Sequence, residues 1–188
     1  CALGTYQGAA GQTSCITCAA GNFAPVASTA CISCVAGQHD ADSDPATACA
    51  SCANGKHAAS GSYTDAAATP PSVGCIDCNG GYVDLDGPST ACTPCAAGTY
   101  SGTAATTCIQ CALGTNDEDG DASTACTDCN AGYYAAEGSF GAAGCVECPA
   151  GYHDDDSDPA TACDGVGTDS QCAVGRYTAA GGTGCTDC

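Results

Sequence analysis

The sequence predicts a small disulfide-rich repeat array: an elongated rod of short β-hairpins and turns, with little helix and no single hydrophobic core. Three observations lead to this fold class. Cysteine supplies 21 of 188 residues, Trp and Met are absent beside only eight Tyr and two Phe, and one short phrase recurs throughout the chain. A cysteine content above about a tenth is typical of a disulfide scaffold. Because large apolar side chains are so few, a single globular core is not expected.

The recurring phrase is clearest in Cys95-Ala-Ala-Gly98-Thr-Tyr100, which continues through small polar residues to Cys108-Ile-Gln-Cys111. Ten copies follow one another at spacings of 16 to 26 residues. We place the repeats at 1–17, 18–33, 34–51, 52–77, 78–94, 95–110, 111–128, 129–147, 148–171 and 172–188. The junction from Cys163 to Cys172 departs from the pattern, with eight intervening residues instead of two. Tandem repetition at this period predicts units that mainly contact their neighbours.

Within each repeat the elements have fixed places. The third residue after the opening Cys is a glycine in all ten copies, which suggests a turn that needs positive φ or the close passage of another backbone. Two positions later an aromatic or histidine ring follows in eight copies, and we expect it to lie over a disulfide or against the neighbouring repeat. The first residue between the paired cysteines is β-branched in eight of nine pairs, which favours short extended segments.

The cysteines allow two simple pairings. In one, each loop closes on itself, which pairs Cys1 with Cys15, Cys18 with Cys31, Cys34 with Cys49, Cys52 with Cys75, Cys78 with Cys92, Cys95 with Cys108, Cys111 with Cys126, Cys129 with Cys145, Cys148 with Cys163, and Cys172 with Cys185. In the other, each Cys-x-x-Cys closes internally and Cys1 is left over. We favour the first, because closing each loop removes roughly 3 kcal/mol of chain entropy and tight Cys-x-x-Cys bridges tend to be redox-active. The dipeptide between paired cysteines is then only a linker, and Cys188 is left for a following repeat or another subunit.

The phrase Cys95-Ala-Ala-Gly98-Thr-Tyr100 and its counterpart Cys1-Ala-Leu-Gly4-Thr-Tyr6 resemble ephrin-receptor-like and growth-factor-receptor-like cysteine-rich repeats of the EGF and tumour-necrosis-factor-receptor type. The tandem, Ala-rich form is similar to surface proteins of protists and algae, including flagellar-hair (mastigoneme) proteins. This resemblance covers the chain except the junction at 163–172. It implies extracellular rods in which the first and second Cys of each loop are bridged.

Charge and cysteine content limit the possible partners. The formal net charge is −19, with 21 acidic residues against two basic ones. Nucleic acids and anionic membrane surfaces both need clustered cations, so neither is an expected partner. No long apolar segment predicts direct membrane insertion. Disulfides persist in oxidising compartments, which places the chain outside the cell or at its surface.

Acid-rich loops fall in the third, fifth, seventh and ninth repeats, whereas the even repeats are nearly neutral. Asp-x-Asp-x-Asp spacing offers the hard oxygen ligands that Ca²⁺ prefers, so calcium is the one cofactor we consider. The candidate ligands are Asp40, Asp42, Asp44, Asp117, Asp119, Asp121, Asp154, Asp156 and Asp158. Turn chemistry and a solvated acidic face are the alternative interpretation. The three histidines occupy the ring position that Tyr fills elsewhere, which favours a structural role over zinc binding.

These patterns predict a structural subunit of an extracellular filament or cell-surface appendage that self-assembles into a homopolymer, joined end to end through Cys188. The alternative is the stalk or ectodomain of an adhesion or receptor-like surface protein, with other surface proteins as partners. No catalytic residues are predicted, because a thin disulfide rod rarely forms a deep pocket.

Overall fold

A computed structural model describes residues 1–65, 67, 74–87, 91–154, 157–161, 163 and 170–188. In these residues the regular structure consists of two-residue strands and no helix. The strands are β1 Thr5–Tyr6, β2 Ile16–Thr17, β3 Asn22–Phe23, β4 Ile32–Ser33, β5 Gln38–His39, β6 Ala50–Ser51, β7 Lys56–His57, β8 Ile76–Asp77, β9 Tyr82–Val83, β10 Thr93–Pro94, β11 Thr99–Tyr100, β12 Ile109–Gln110, β13 Thr115–Asn116, β14 Thr127–Asp128, β15 Tyr133–Tyr134, β16 Val146–Glu147, β17 Tyr152–His153, β18 Ser170–Gln171, β19 Arg176–Tyr177 and β20 Thr186–Asp187. The predicted array of small hairpins with little helix is therefore confirmed.

Each odd-numbered strand pairs with the next strand in sequence, so every repeat contains one two-stranded hairpin. The register is antiparallel, and the ring residue lies opposite the first residue between the paired cysteines, as in Tyr6 opposite Ile16. The sequence interpretation of that dipeptide as only a linker was therefore wrong. Its β-branched residues form the second strand of the hairpin, which satisfies backbone groups that a linker would leave unpaired.

Ten disulfides close the ten loops, and each joins the two cysteines that bound one loop. This is the self-closing register favoured above. Loop closure spans 13 residues in the shortest case and 23 in the longest, from Cys52 to Cys75. Cys188 is a free, exposed thiol. The irregular junction ends in the same way as the others, because β18 pairs with β17 immediately before Cys172.

The interior is built from sulfur and methyl groups. The buried apolar residues among those described are eight cysteines, three alanines and one larger side chain, Val83. Many larger apolar residues lie at the surface, including Ile16, Ile109 and Phe140. Among the described residues no single hydrophobic core forms, because no repeat contains more than two of these buried apolar residues.

The chain divides into two compact units. Unit 1 comprises Cys1–Asn79, Val83–Thr93 and Thr103–Thr107, and unit 2 comprises Gly80–Tyr82, Pro94–Gly102 and Cys108–Cys188. Inside a unit, a loop can contact both the following repeat and the repeat after that, as Gly21 contacts Asp40 and Gly61. In the part of the chain that the structure describes, no helix has the length and apolar character needed to cross a membrane.

Candidate functional site

The recurring glycine is required for two separate reasons. Gly21 has φ of +79° and Gly132 has φ of +82°, a region that side chains other than glycine rarely adopt. A Cβ atom at Gly21 would also overlap the carbonyl oxygen of Gly61, and one at Gly132 would overlap that of Gly181. In both cases the overlapped oxygen belongs to the second repeat along the chain. Both sequence expectations for this glycine, a positive φ and close backbone passage, therefore describe the same residue.

In odd-numbered repeats, the N–H of this glycine bonds to the backbone of the next repeat. The acceptor is the carbonyl oxygen of the residue that follows the ring position. These bonds join Gly4 to Ala24, Gly37 to Ala58, Gly81 to Ser101, Gly114 to Ala135 and Gly151 to Thr178, at 2.8 to 3.2 Å. The same backbone hydrogen bond therefore recurs between each odd repeat and the even repeat that follows it.

In even-numbered repeats, the same N–H bonds instead to an aspartate side chain, and we call these four acceptors the register aspartates. The bonds run from Gly21 to Asp40 (3.1 Å), Gly55 to Asp84 (3.1 Å), Gly98 to Asp117 (3.4 Å) and Gly132 to Asp154 (2.8 Å). Their side chains are only 2 to 7% exposed. A carboxylate buried to this degree holds its place because it accepts a charge-assisted bond from a backbone N–H.

The register aspartates all occupy the position directly after the ring position of an odd repeat. In even repeats this position holds Ala24, Ala58, Ser101, Ala135 and Thr178. The alternation between acidic and neutral loops therefore follows the alternation between two kinds of repeat contact. The alternating acidity is visible in the sequence, but this role was not predicted from it; the position directly after the ring is the sequence feature that marks it.

Several of the other acidic residues that the structure describes in these loops accept hydrogen bonds in tight turns. Asp42 accepts hydrogen bonds from the N–H of Asp44 (3.0 Å) and from the hydroxyl of Thr47 (2.8 Å). In the seventh repeat Asp119 accepts from the N–H of Asp121 at 2.9 Å, and Asp121 accepts from that of Ser123 at 2.9 Å. Such side-chain-to-backbone bonds are the ordinary chemistry of Asp in turns.

These bonds influence ionisation. The hydrogen bond from the N–H of Asp44 lowers the pKa of Asp42, and the Thr47 hydroxyl adds to the effect. The hydroxyl and then the N–H of Ser123 lower the pKa of Asp121 in the same way. Both carboxyl groups are solvent-exposed, so the cause is hydrogen bonding to the charged form rather than burial.

The calcium candidates are divided between these two roles. Asp40, Asp117 and Asp154 are register aspartates, whereas Asp42, Asp44, Asp119, Asp121 and Asp158 accept turn hydrogen bonds. Asp156 lies outside the described residues. Among the residues described, no three carboxylates bring oxygens within 4.8 Å of one another. Calcium binding stays a prediction, and the seventh repeat has a cleft of about 220 Å³ beside Asp117, Glu118 and Asp119.

Three histidines contact the disulfide of the following repeat, as expected for the ring position. The Nδ1 atoms of His39, His57 and His153 lie 2.9, 3.2 and 3.3 Å from the Sγ atoms of Cys75, Cys92 and Cys185. Because a bridging sulfur carries no hydrogen, these contacts are hydrogen bonds only when Nδ1 bears the proton. With both cysteines, each histidine forms a group whose ligand atoms all lie within 4.8 Å, but sulfurs bonded in a disulfide are not thiolate ligands for a metal.

No protein-family model and no curated protein matches this chain. The disulfide-bonded hairpin repeats indicate an extracellular structural or surface protein.

Proposed function

We propose that the chain is a structural subunit of an extracellular filament or cell-surface appendage. The observation that supports it is the interlocking of repeats, in which glycine turns such as those of Gly21 and Gly132 contact both of the next two repeats. Because each repeat is placed by contacts with the nearest repeats along the chain, such an array lengthens by simple repetition. Its resemblance to the surface and flagellar-hair repeats of protists and algae supports the same proposal.

The free thiol at Cys188 supplies a chemical means of joining chains. It is exposed and has no partner among the described cysteines, each of which is otherwise paired. We propose that it forms a disulfide with a second copy of this chain in the assembled filament. An exposed thiol in an oxidising compartment readily forms such a bond.

The stalk or ectodomain alternative is favoured by one residue. Gln7 occupies in the first repeat the position of a register aspartate, and its amide is bonded within its own loop, to the carbonyl of Ser14 and the N–H of Ala9. An even repeat that lay before the first one, in this chain or in another copy, would therefore find no carboxylate there. The internal register is interrupted at this position, which favours a monomeric stalk that contacts other surface proteins as the second proposal.

The test is to digest the non-reduced protein with an acid protease and to identify the partner of Cys188 by mass spectrometry, alongside electron microscopy of the same preparation. A Cys188–Cys188 peptide, together with regular fibres that Cys188→Ser removes, supports the filament. Single particles with Cys188 unbonded, or bonded to a different protein, overturn the filament and support the stalk.

Weak calcium binding by the acidic loops belongs to the same proposal, because an acidic surface on a filament needs cations to approach a second one. Calorimetric titration with Ca²⁺ tests it, with Asp119→Asn as the variant at the seventh-repeat cleft. Heats that are equal with Mg²⁺ and unchanged in the variant would indicate simple screening by a solvated acidic face.

A further inference from the structure

The histidine–disulfide contacts divide the ten bridges into two chemical kinds. Three bridges, Cys52–Cys75, Cys78–Cys92 and Cys172–Cys185, have an imidazole nitrogen within 3.3 Å of one sulfur. In each case the contacted sulfur is that of the second cysteine of the bridge. An imidazole can deliver a proton to that sulfur, which is what a thiolate leaving group needs.

Access separates these three bridges further. An attacking thiolate must reach the sulfur opposite the one that leaves, which here is the first cysteine of each bridge. Cys52 is 7% exposed and Cys78 is fully buried, so neither can be reached. Cys172 is partly exposed, as is its partner Cys185. One bridge therefore combines a proton donor at the leaving sulfur with an accessible sulfur to attack.

We propose that His153, Cys172 and Cys185 form a thiol–disulfide exchange site whose co-reactant is a small monothiol. The thiolate attacks Sγ of Cys172 and forms a mixed disulfide with it, and the bond between Cys172 and Cys185 breaks. Cys185 leaves with the electron pair of that bond and takes the proton from Nδ1 of the His153 imidazolium. One disulfide is consumed and one is formed, so no separate oxidant or reductant is required.

The same chain contains controls for both requirements. Cys95 and Cys108 are both partly exposed and have no histidine contact among the described residues, so this bridge matches the proposed site in access alone. Cys52–Cys75 has the contact of His39 with Cys75 at 2.9 Å but a buried first cysteine, so it matches in the proton donor alone. If both features are needed, neither control exchanges at the rate of Cys172–Cys185.

The experiment uses the full chain with Cys188 first alkylated, so that its own thiol takes no part. Glutathione is added near neutral pH, samples are quenched with acid and alkylated, and peptides from acid-protease digestion are identified by mass spectrometry. We expect glutathione on Cys172, the alkyl label on Cys185, and a rate roughly tenfold or more above that of Cys95–Cys108. Glutathione on Cys185 instead, or equal rates at the two bridges, would overturn the proposal.

His153→Tyr is the informative variant, because Tyr134 fills the same ring position in the eighth repeat. If His153 donates the proton, exchange at Cys172–Cys185 slows to the rate of Cys95–Cys108 while the other bridges are unchanged. If His153 merely shields the bridge, its replacement leaves the rate unchanged or raises it, which contradicts the proposal. If the variant does not form the Cys172–Cys185 bridge, the comparison of Cys172–Cys185 with Cys95–Cys108 in the unmodified chain still tests the proposal.

Discussion

Single residues set the register of this array, and the register aspartates are the clearest case. Asp40 holds the N–H of Gly21 at 3.1 Å while only 4% of its surface is exposed. Its second oxygen, Oδ1, has no hydrogen-bond partner among the described residues. One oxygen of this buried carboxylate is thus left without a partner while the other accepts a backbone N–H from the preceding repeat.

We predict that Asp40→Ala opens the contact between the second and third repeats. The N–H of Gly21 would lose its acceptor in a buried position, which costs about 1–3 kcal/mol, equivalent to a roughly 5- to 150-fold loss of amide protection. Hydrogen exchange of the Gly21 amide measures this loss of protection. Asp44→Ala, in the same loop but exposed, is the matched control and should leave Gly21 protected. Equal protection in Asp40→Ala and the unmodified chain would contradict the assigned role.

The two reasons for glycine can be separated by a pair of variants. Gly11 has φ of +82° with open space around it, whereas Gly21 has φ of +79° and lies against the backbone of Gly61. We expect Gly11→Ala to cost about 1–2 kcal/mol from backbone strain alone. Gly21→Ala should cost clearly more and should release the fourth repeat, measured as lost protection of the Gly61 amide. Similar costs for the two variants would show that the close approach contributes little.

The acidic turns should respond to pH in a defined direction. The pKa values of Asp42 and Asp121 are lowered in the folded chain, so both turns are stabilised above the ordinary Asp pKa and lose that stabilisation as pH falls through the folded-state value. We predict falling protection factors for the amides of Asp44 and Ser123 from about pH 4 downward. Asp42→Asn should abolish the pH dependence at Asp44 and leave that at Ser123. Flat protection down to pH 2 would refute the prediction.

At the scale of the element, the hairpins form because sequence and geometry agree locally. Each is only two residues long on each strand, too short for stability by itself. The additional stability comes from the disulfide that closes the loop and from the contacts with the next repeats. Tyr6 opposite Ile16 and Phe23 opposite Ile32 are pairs of the aromatic and β-branched kind that stabilise antiparallel strands.

The recurring phrase made most of the local structure of each repeat predictable from the sequence. The ten loops, the glycine turn and the extended Cys-x-x-Cys segments all recur at fixed places, so ten copies report the same local rule. What the sequence could not show was that Gly21 reaches Gly61, since contacts two repeats away leave no periodic mark beyond the glycine itself. Asp40 and Asp42 are two residues apart and chemically identical, and only the position of Asp40 directly after the ring distinguishes their roles in the sequence.

The contact from an odd to an even repeat differs from the contact from an even to an odd repeat. We therefore predict that the chain folds after deletion of two consecutive repeats but not after deletion of one. Removing 78–110 leaves Gly55 of an even repeat facing Asp117 of an odd one, which preserves the alternation. Removing 95–110 alone places the fifth repeat directly before the seventh, so that two odd repeats meet. We expect native disulfide pairing and resistance to elastase for the pair deletion, and mixed pairing for the single deletion. Equal yields of correctly bridged protein would show that the alternation is not a requirement.

At the scale of the whole molecule, charge opposes compactness. Lys56 and Arg176 are the only basic residues, and each bonds to the acid opposite it in its hairpin, Asp77 at 2.5 Å and Asp187 at 2.7 Å. Both pairs are exposed and contribute little stability. The remaining acids have no cations from Lys or Arg to balance them, so self-repulsion favours an expanded chain. The disulfide that closes each loop offsets this repulsion.

We therefore predict that reduction alone unfolds the protein. Each closed loop contributes roughly 3 kcal/mol in the simplest chain-entropy account, while in the part of the chain that the structure describes the buried apolar residues other than cysteine are three alanines and Val83. Once the cysteines are reduced and alkylated, the burial of these few apolar side chains cannot offset the entropy lost in ordering two-residue strands or the repulsion among 21 acidic residues. Amide-proton dispersion in NMR should collapse to that of an unfolded chain, with rapid cleavage by elastase. The matched control is the oxidised chain alkylated only at Cys188. A reduced and alkylated chain that kept its hairpin amides protected would show that repeat contacts stabilise the array without the bridges, since alkylation leaves the backbone groups and the register aspartates in place.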